Sequence, residues 1–171
     1  MKYHQIIKEQ PIKYYFLSQK PQYITIASYL SFGQWYLNRK LPFEVNNKAY
    51  AQRAKKDNHI PTTIIAVAGE FPVGIASLKN NDLWHRKDLN PWLASLFVHE
   101  KFRHKKVATN LITRIVEHGK KLGFNKVYLF LGNEEQHKLE KFYTSLGWQF
   151  ESNEKDNDGN QTKVYFYQIE K

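Results

Sequence analysis

Apolar positions along the chain switch between a helical period of about 3.6 residues and short β-branched runs, and those switches mark its elements. His4–Ile7 reads as a short strand. Across Gln22–Leu37, the residues Tyr23, Ile26, Ala27, Leu30 and Leu37 recur at helical spacing, and Leu41-Pro42-Phe43 breaks the run. Val45–Lys56 predicts a second, more polar helix. Pro61 precedes Thr62–Ala68, a β-branched strand. Gly69–Gly74 is turn-forming, and Ile75–Leu78 returns as the partner of a hairpin. Asn80–Asn90 is a polar loop carrying Trp84, His85 and Asp88.

Leu93–Val98 is continuously apolar, which predicts a strand buried on both faces. Lys105–Leu122 predicts a long helix: Val107, Leu111, Ile115 and Leu122 form one stripe, widened by Ala108, Ile112 and Val116, and Gly123 stops it. Lys126–Leu131 is a further strand. Glu134–Leu146 predicts a helix with Leu139, Phe142, Tyr143 and Leu146 on one side, ended by Gly147. Gln149–Ser152 and Lys163–Ile169 close as an antiparallel pair around Asp156-Asn-Asp-Gly-Asn160. The order β-α-α-β-β-β-α-β-α-β-β is that of a mixed α/β sheet with helices packed on it. With no internal repeat and no Pro/Gly-rich linker, a single domain over 1–171 is expected.

A chain of 171 residues buries about 70% of the surface its unfolded form exposes, and 15% aromatic residues give it a bulky core. The absence of Cys excludes disulfides, thiolate nucleophiles and Cys-based zinc sites, and fits a reducing compartment. Residues 1–10 lack the apolar run of a signal peptide, and no stretch has the length of a membrane span, so a cytoplasmic protein without a membrane partner is expected. The net charge of +10 is spread from Lys2 to Lys171, with local density at Arg53–Lys56 and Lys101–Lys106. Such scatter describes a solvated basic surface better than a dedicated nucleic-acid face, and no specific nucleic-acid partner is expected. The seven His residues show no metal-ligand spacing, which predicts no metal.

The candidate chemistry lies where Trp92–Val98 runs into Arg103-His-Lys-Lys-Val-Ala108. An apolar strand meets a basic turn, and the turn opens a helix whose first amides have no intrahelical partner. A helix start of this kind carries the equivalent of about half a positive charge, and the adjacent cations strengthen it. The junction reads as a pyrophosphate cradle.

These residues resemble the GNAT superfamily of acetyl-CoA-dependent N-acyltransferases. In that family the helix after the fourth strand opens with [RQ]-x-x-G-x-[GA], whose amides bind the coenzyme A pyrophosphate. Arg103 and Ala108 match its ends, and Lys106 stands at the central Gly. A Phe-Tyr followed by Leu-Gly marks the family helix beside the coenzyme thiol, and Phe142-Tyr143 with Leu146-Gly147 occupy those places. Asn133 matches a position that contacts the pantetheine arm. The likeness runs over the whole chain in element order and is sharpest from Pro91 to Phe150.

The resemblance implies a mixed, mostly antiparallel sheet of about six to seven strands with about four helices on its faces, splayed between strands 4 and 5. It implies acetyl-CoA as co-substrate, held by Leu96, Phe97, Val98, Arg103, His104, Lys105, Lys106, Val107, Ala108, Thr109, Asn133 and Phe142. The Phe97 or Val98 N–H would donate to the thioester oxygen. Tyr143, protonated at neutral pH with an ordinary pKa of about 10, would be the general acid, although its apolar stripe also suits core packing. At position 106, a Lys in right-handed helical conformation would keep the backbone in place and add charge. A Gly required for phosphate contact at its Cα would instead make Lys106 an obstruction; the neighbouring cations favour the first reading.

Leu93–Val98 contains no carboxylate, so Asp88, His85, Glu44 or a relayed water remains open as the base. The acceptor is expected to be a small-molecule or peptide primary amine, met by Tyr29, Phe32, Trp35 and Tyr36 and by the Trp84–Trp92 loop, on a monomer or homodimer. Two rival readings are a catalytically silent coenzyme-A-binding module and a basic nucleic-acid-binding protein.

Overall fold

The computed structural model describes residues 10–37, 41–132 and 136–170; the expected strand His4–Ile7 and the candidate Asn133 lie outside them. The strands are β1 (Ile12–Phe16), β2 (Thr62–Ala68), β3 (Phe71–Lys79), β4 (Trp92–Val98), β5 (Lys126–Phe130), β6 (Gln149–Lys155) and β7 (Gln161–Gln168). The helices are α1 (Ile24–Trp35), α2 (Phe43–Arg53), α3 (Val107–Lys121) and α4 (Gln136–Ser145). The fold is mixed α/β. Its sheet has seven strands in the order β1-β2-β3-β4-β5-β7-β6. The pairs β1·β2, β5·β7 and β6·β7 are antiparallel and β4·β5 is parallel. No described helix is long and apolar enough to cross a membrane.

The chain divides into two compact units, Met1–Ser77 with Ser95–Ile115, and Leu78–Ala94 with Val116–Lys171. In the first unit, β1 pairs with β2 from Ile12↔Ala68 to Phe16↔Ile64. This strand escapes the sequence reading because Ile-Lys-Tyr-Tyr-Phe has no clean alternation, so only its ladder identifies it. The core gathers Leu17, Ala27, Tyr50, Ile65, Val67 and Ile75. Around helix α1 the expected stripe holds in part: Ala27 is buried and Tyr23 and Leu30 pack on the core, but Ile26 is 40% and Leu37 70% exposed, and Ser28 and Ser31 are buried instead. Helix α2 begins at Phe43 with the extended Pro42 as its cap, two residues before the expected start.

Strand β3 is longer than expected. Val73 and Gly74, assigned to a turn from sequence, belong to it, and the turn contracts to Gly69-Glu70, with Gly69 at φ +61°. A Cβ at Gly74 would stand 2.9 Å from the Phe97 carbonyl oxygen, so this position admits no side chain without a backbone shift. Val73 O accepts from His99 N at 2.9 Å, which fixes the end of β4 against β3.

In the second unit, Leu83, Leu89, Trp92, Tyr128 and Val164 form the core. The parallel register is Trp92↔Tyr128, and Tyr128 N donates to Pro91 O at 2.9 Å. β5 pairs with β7 from Lys126↔Gln168 to Phe130↔Val164, and β6 pairs with β7 with an irregularity between Phe150 and Ser152. The loop before β4 is clasped to the β6–β7 hairpin. Trp84 N donates to Asn157 Oδ1 at 3.0 Å, and Asn157 Nδ2 donates to Asp82 O at 2.8 Å.

Candidate active site

The basic junction lies in the first unit. After β4, a short 3-10 turn spans Glu100–Phe102, and Arg103 is extended at φ −64° and ψ 160°. His104 and Lys106 then both have left-handed backbones, at φ +61° and +60°. The expected helical start at Lys105 is therefore corrected: α3 begins at Val107. A right-handed Lys106 is excluded too, and its left-handed φ gives a backbone reason for a Gly at this place in the motif, independent of any contact at the Cα.

The first helical hydrogen bond runs from Asn110 N to Lys106 O at 2.9 Å. The amides of Val107, Ala108 and Thr109 precede it, and Lys106 has no side-chain oxygen with which to cap them. Successive amides around left-handed residues make an anion-binding concavity. Arg103 Nε donates to Val98 O at 3.2 Å, and Lys105 Nζ stands 5.3 Å from the Phe102 ring centroid. Arg103, His104, Lys105 and Lys106 are all exposed and immediately precede these amides in the chain. The residues present suit a diphosphate.

Strand β4 delivers Leu96, Phe97 and Val98 to this junction. It is less buried than its composition predicts, since Ser95, Leu96 and Phe97 are only partly covered. Ser95 has φ +53°, a left-handed residue inside a strand, which re-aims the amides that follow it. Nothing in a Ser flanked by apolar residues announces that turn.

In the second unit, Tyr143 is 8% exposed, with ring centroids of Phe142 at 5.2 Å and Trp148 at 5.7 Å. Burial pushes its phenol well above the ordinary 10, so the group keeps its proton throughout the neutral range. Phe142 is partly buried beside it.

The proton acceptors named from sequence differ in availability. Arg86 Nε and Nη2 clasp Asp88 at 2.9 and 2.8 Å, and this bond holds the carboxyl below its usual range. Glu44 is exposed in the first turn of α2. His85 Nε2 lies 3.0 Å from Glu154 Oε2, which leaves Nδ1 as its other ring nitrogen. Glu154, missed from sequence, also accepts from Arg86 Nη1 and from Ser152 Oγ. Burial alone would raise its carboxyl; the bonds from His85, Ser152 and Arg86 outweigh that and hold it low. Among the described residues no group of three or more His, Asp or Glu is placed to hold a metal ion.

A family model described as the acetyltransferase (GNAT) family matches residues 29–148. No curated relative matches the sequence. An acetyltransferase of the GNAT family from Streptococcus pneumoniae is similar in structure, with TM-score 0.68 and 13% identity over 94% of this chain and 100% of that one. An aminoglycoside 6'-N-acetyltransferase complexed with coenzyme A has TM-score 0.69 and 14% identity, covering 94% and 98% of the two chains. Arabidopsis thaliana Naa50, in complex with the bisubstrate analogue CoA-Ac-MVNAL, has TM-score 0.66 and 13% identity, covering 92% and 99%. At such identities the likeness is one of fold.

Proposed function

Because the chain belongs to the GNAT acetyltransferase family and is thereby an acyltransferase enzyme, we propose that it moves an acetyl group from acetyl-CoA to a primary amine by direct attack in a ternary complex. The observation that carries this reading is the junction at 103–109, where left-handed His104 and Lys106 precede three free helix amides amid four exposed basic residues. Structural neighbours, one complexed with coenzyme A and one with the bisubstrate analogue CoA-Ac-MVNAL, support the same reading.

Acetyl-CoA, when bound, supplies the activated acyl group and a thiolate leaving group. Arg103, His104, Lys105 and Lys106, with the amides of Val107, Ala108 and Thr109, hold the diphosphate. A β4 amide, Phe97 or Val98 N–H, donates to the acyl oxygen as negative charge develops there. As the new C–N bond forms and the C–S bond breaks, Tyr143 gives its proton to the departing sulfur. The amine proton passes to His85 or to water, since Asp88 is already clasped by Arg86. Direct attack needs no covalent enzyme intermediate and suits a chain without Cys. We read the whole of 1–171 as one such catalytic domain, and the lack of Cys fits work in a reducing cytoplasm.

The test is turnover of acetyl-CoA against a panel of primary amines by wild type and Tyr143→Phe. The variant is expected to lose about 100-fold in kcat with an unchanged affinity for coenzyme A. Coenzyme A binding without turnover of any amine would favour the silent binding module, and no binding by calorimetry would overturn both.

A further inference from the structure

Arg53 closes α2 and is 8% exposed, yet no carboxylate pairs with it among the described residues. A guanidinium stays charged at every biological pH and offers five N–H donors in a planar fork. Burying one without a counter-charge is costly, and an anion held beside it would offset that cost. Its Nη1 donates to Ser77 Oγ at 3.3 Å, and its Cζ stands 4.3 Å from the Tyr50 ring centroid. Ser77 Oγ is in turn 2.8 Å from Thr63 Oγ1. One neutral hydroxyl and one aromatic face leave most of the fork unused.

A second observation comes from Tyr50, whose hydroxyl is shut off from solvent and has no partner. Arg53 itself keeps a small exposure of 8%, and only its Nη1 is given to Ser77. A permanent cation, an orphaned phenol and a hydroxyl pair thus lie together against the β2 and β3 strands of the first unit. Phe97 of β4 packs on the same apolar cluster as Tyr50, which puts this group on the face of β4 that carries Phe97.

We propose that Arg53, with Ser77, Thr63 and Tyr50, is a carboxylate-binding site, and that the acceptor is an amino-acid-like amine bearing a carboxylate. The identification of the ligand as the acceptor rests on the acetyl-transfer reading. A carboxylate matches the site in three ways. Its two oxygens fit the fork in parallel, its single charge balances a single guanidinium, and a free lone pair can accept from the Tyr50 hydroxyl. A phosphate dianion would leave one negative charge unmatched. The net charge of +10 also favours an acceptor carrying an anionic group over a polycationic one.

The experiment compares free amino acids with their carboxamides as acceptors, alongside binding of N-acetylated amino acids to the coenzyme-free protein by NMR. Wild type is expected to prefer the acids by about 10- to 100-fold in kcat/KM, chiefly through KM, because the site holds substrate away from the reacting atoms. Arg53→Met should abolish the preference, Arg53→Lys should restore part of it, and Tyr50→Phe, which removes only one oxygen, should reduce it. Circular dichroism checks the fold of each variant, and Tyr50→Phe keeps the test alive if Arg53→Met unfolds. Equal turnover of acids and amides would overturn the carboxylate site and leave acetyl transfer standing. Arg53-dependent binding of N-acetylated amino acids without turnover of any amine would sink acetyl transfer and keep the site. Loss of both signals would dispose of both.

Discussion

At the scale of single residues, Lys106 shows most directly how sequence and backbone can conflict. A non-glycine at φ +60° costs about 1 kcal/mol relative to Gly. Lys106→Gly should therefore raise stability by about 1 kcal/mol in urea unfolding, while lowering coenzyme A affinity a few-fold at low salt because an exposed charge is gone. Lys106→Ala loses the charge but keeps the unfavourable φ, so it should weaken binding without the gain in stability. A drop in stability on Lys106→Gly would refute the backbone explanation. The strand, the turn and the helix of the proposed cradle were legible in sequence because they are contiguous. Arg53 and Glu154 were not, since their partners stand 24 and up to 69 residues away.

At the scale of elements, long periodic stretches such as α3 announced themselves. Val107, Leu111, Ile112 and Ile115 are buried as their spacing predicts. Short elements without a period did not: β1 emerges only from its pairing, and around α1 Ile26 and Leu37 are exposed while Ser28 and Ser31 are buried. The clasp between the loop before β4 and the β6–β7 hairpin makes an acid-sensitive element. The Glu154 carboxyl is held below its ordinary 4.5, so its contribution is fully present above that pH and is lost as pH falls through its lowered folded-state value. The exposed Trp84 is tied to the same hairpin and gives a fluorescence readout. Its emission should stay flat at neutral pH and shift in acid, and Glu154→Gln should weaken the clasp at neutral pH and remove the acid step. An acid step that persists in Glu154→Gln would point to another group.

At the scale of the molecule, the net charge of +10 acts on every anionic ligand. The basic side chains at 103–106 are exposed, so salt screens them over a Debye length of about 8 Å at 0.15 M. Raising NaCl from about 50 to 500 mM should increase KM for acetyl-CoA several-fold with little change in kcat, measured by steady-state kinetics. A salt-independent KM would mean that the amides alone provide the grip. The mixed α/β class was readable from element order, whereas the division into two units was not, because each is assembled from separated segments. That discontinuity bears on synthesis. As the ribosome extrudes the chain, every residue of the first unit has emerged once Ile115 is free, but the second still awaits β7. Vectorial folding thus favours the half with the basic junction, and Leu78–Ala94 must wait for partners not yet translated.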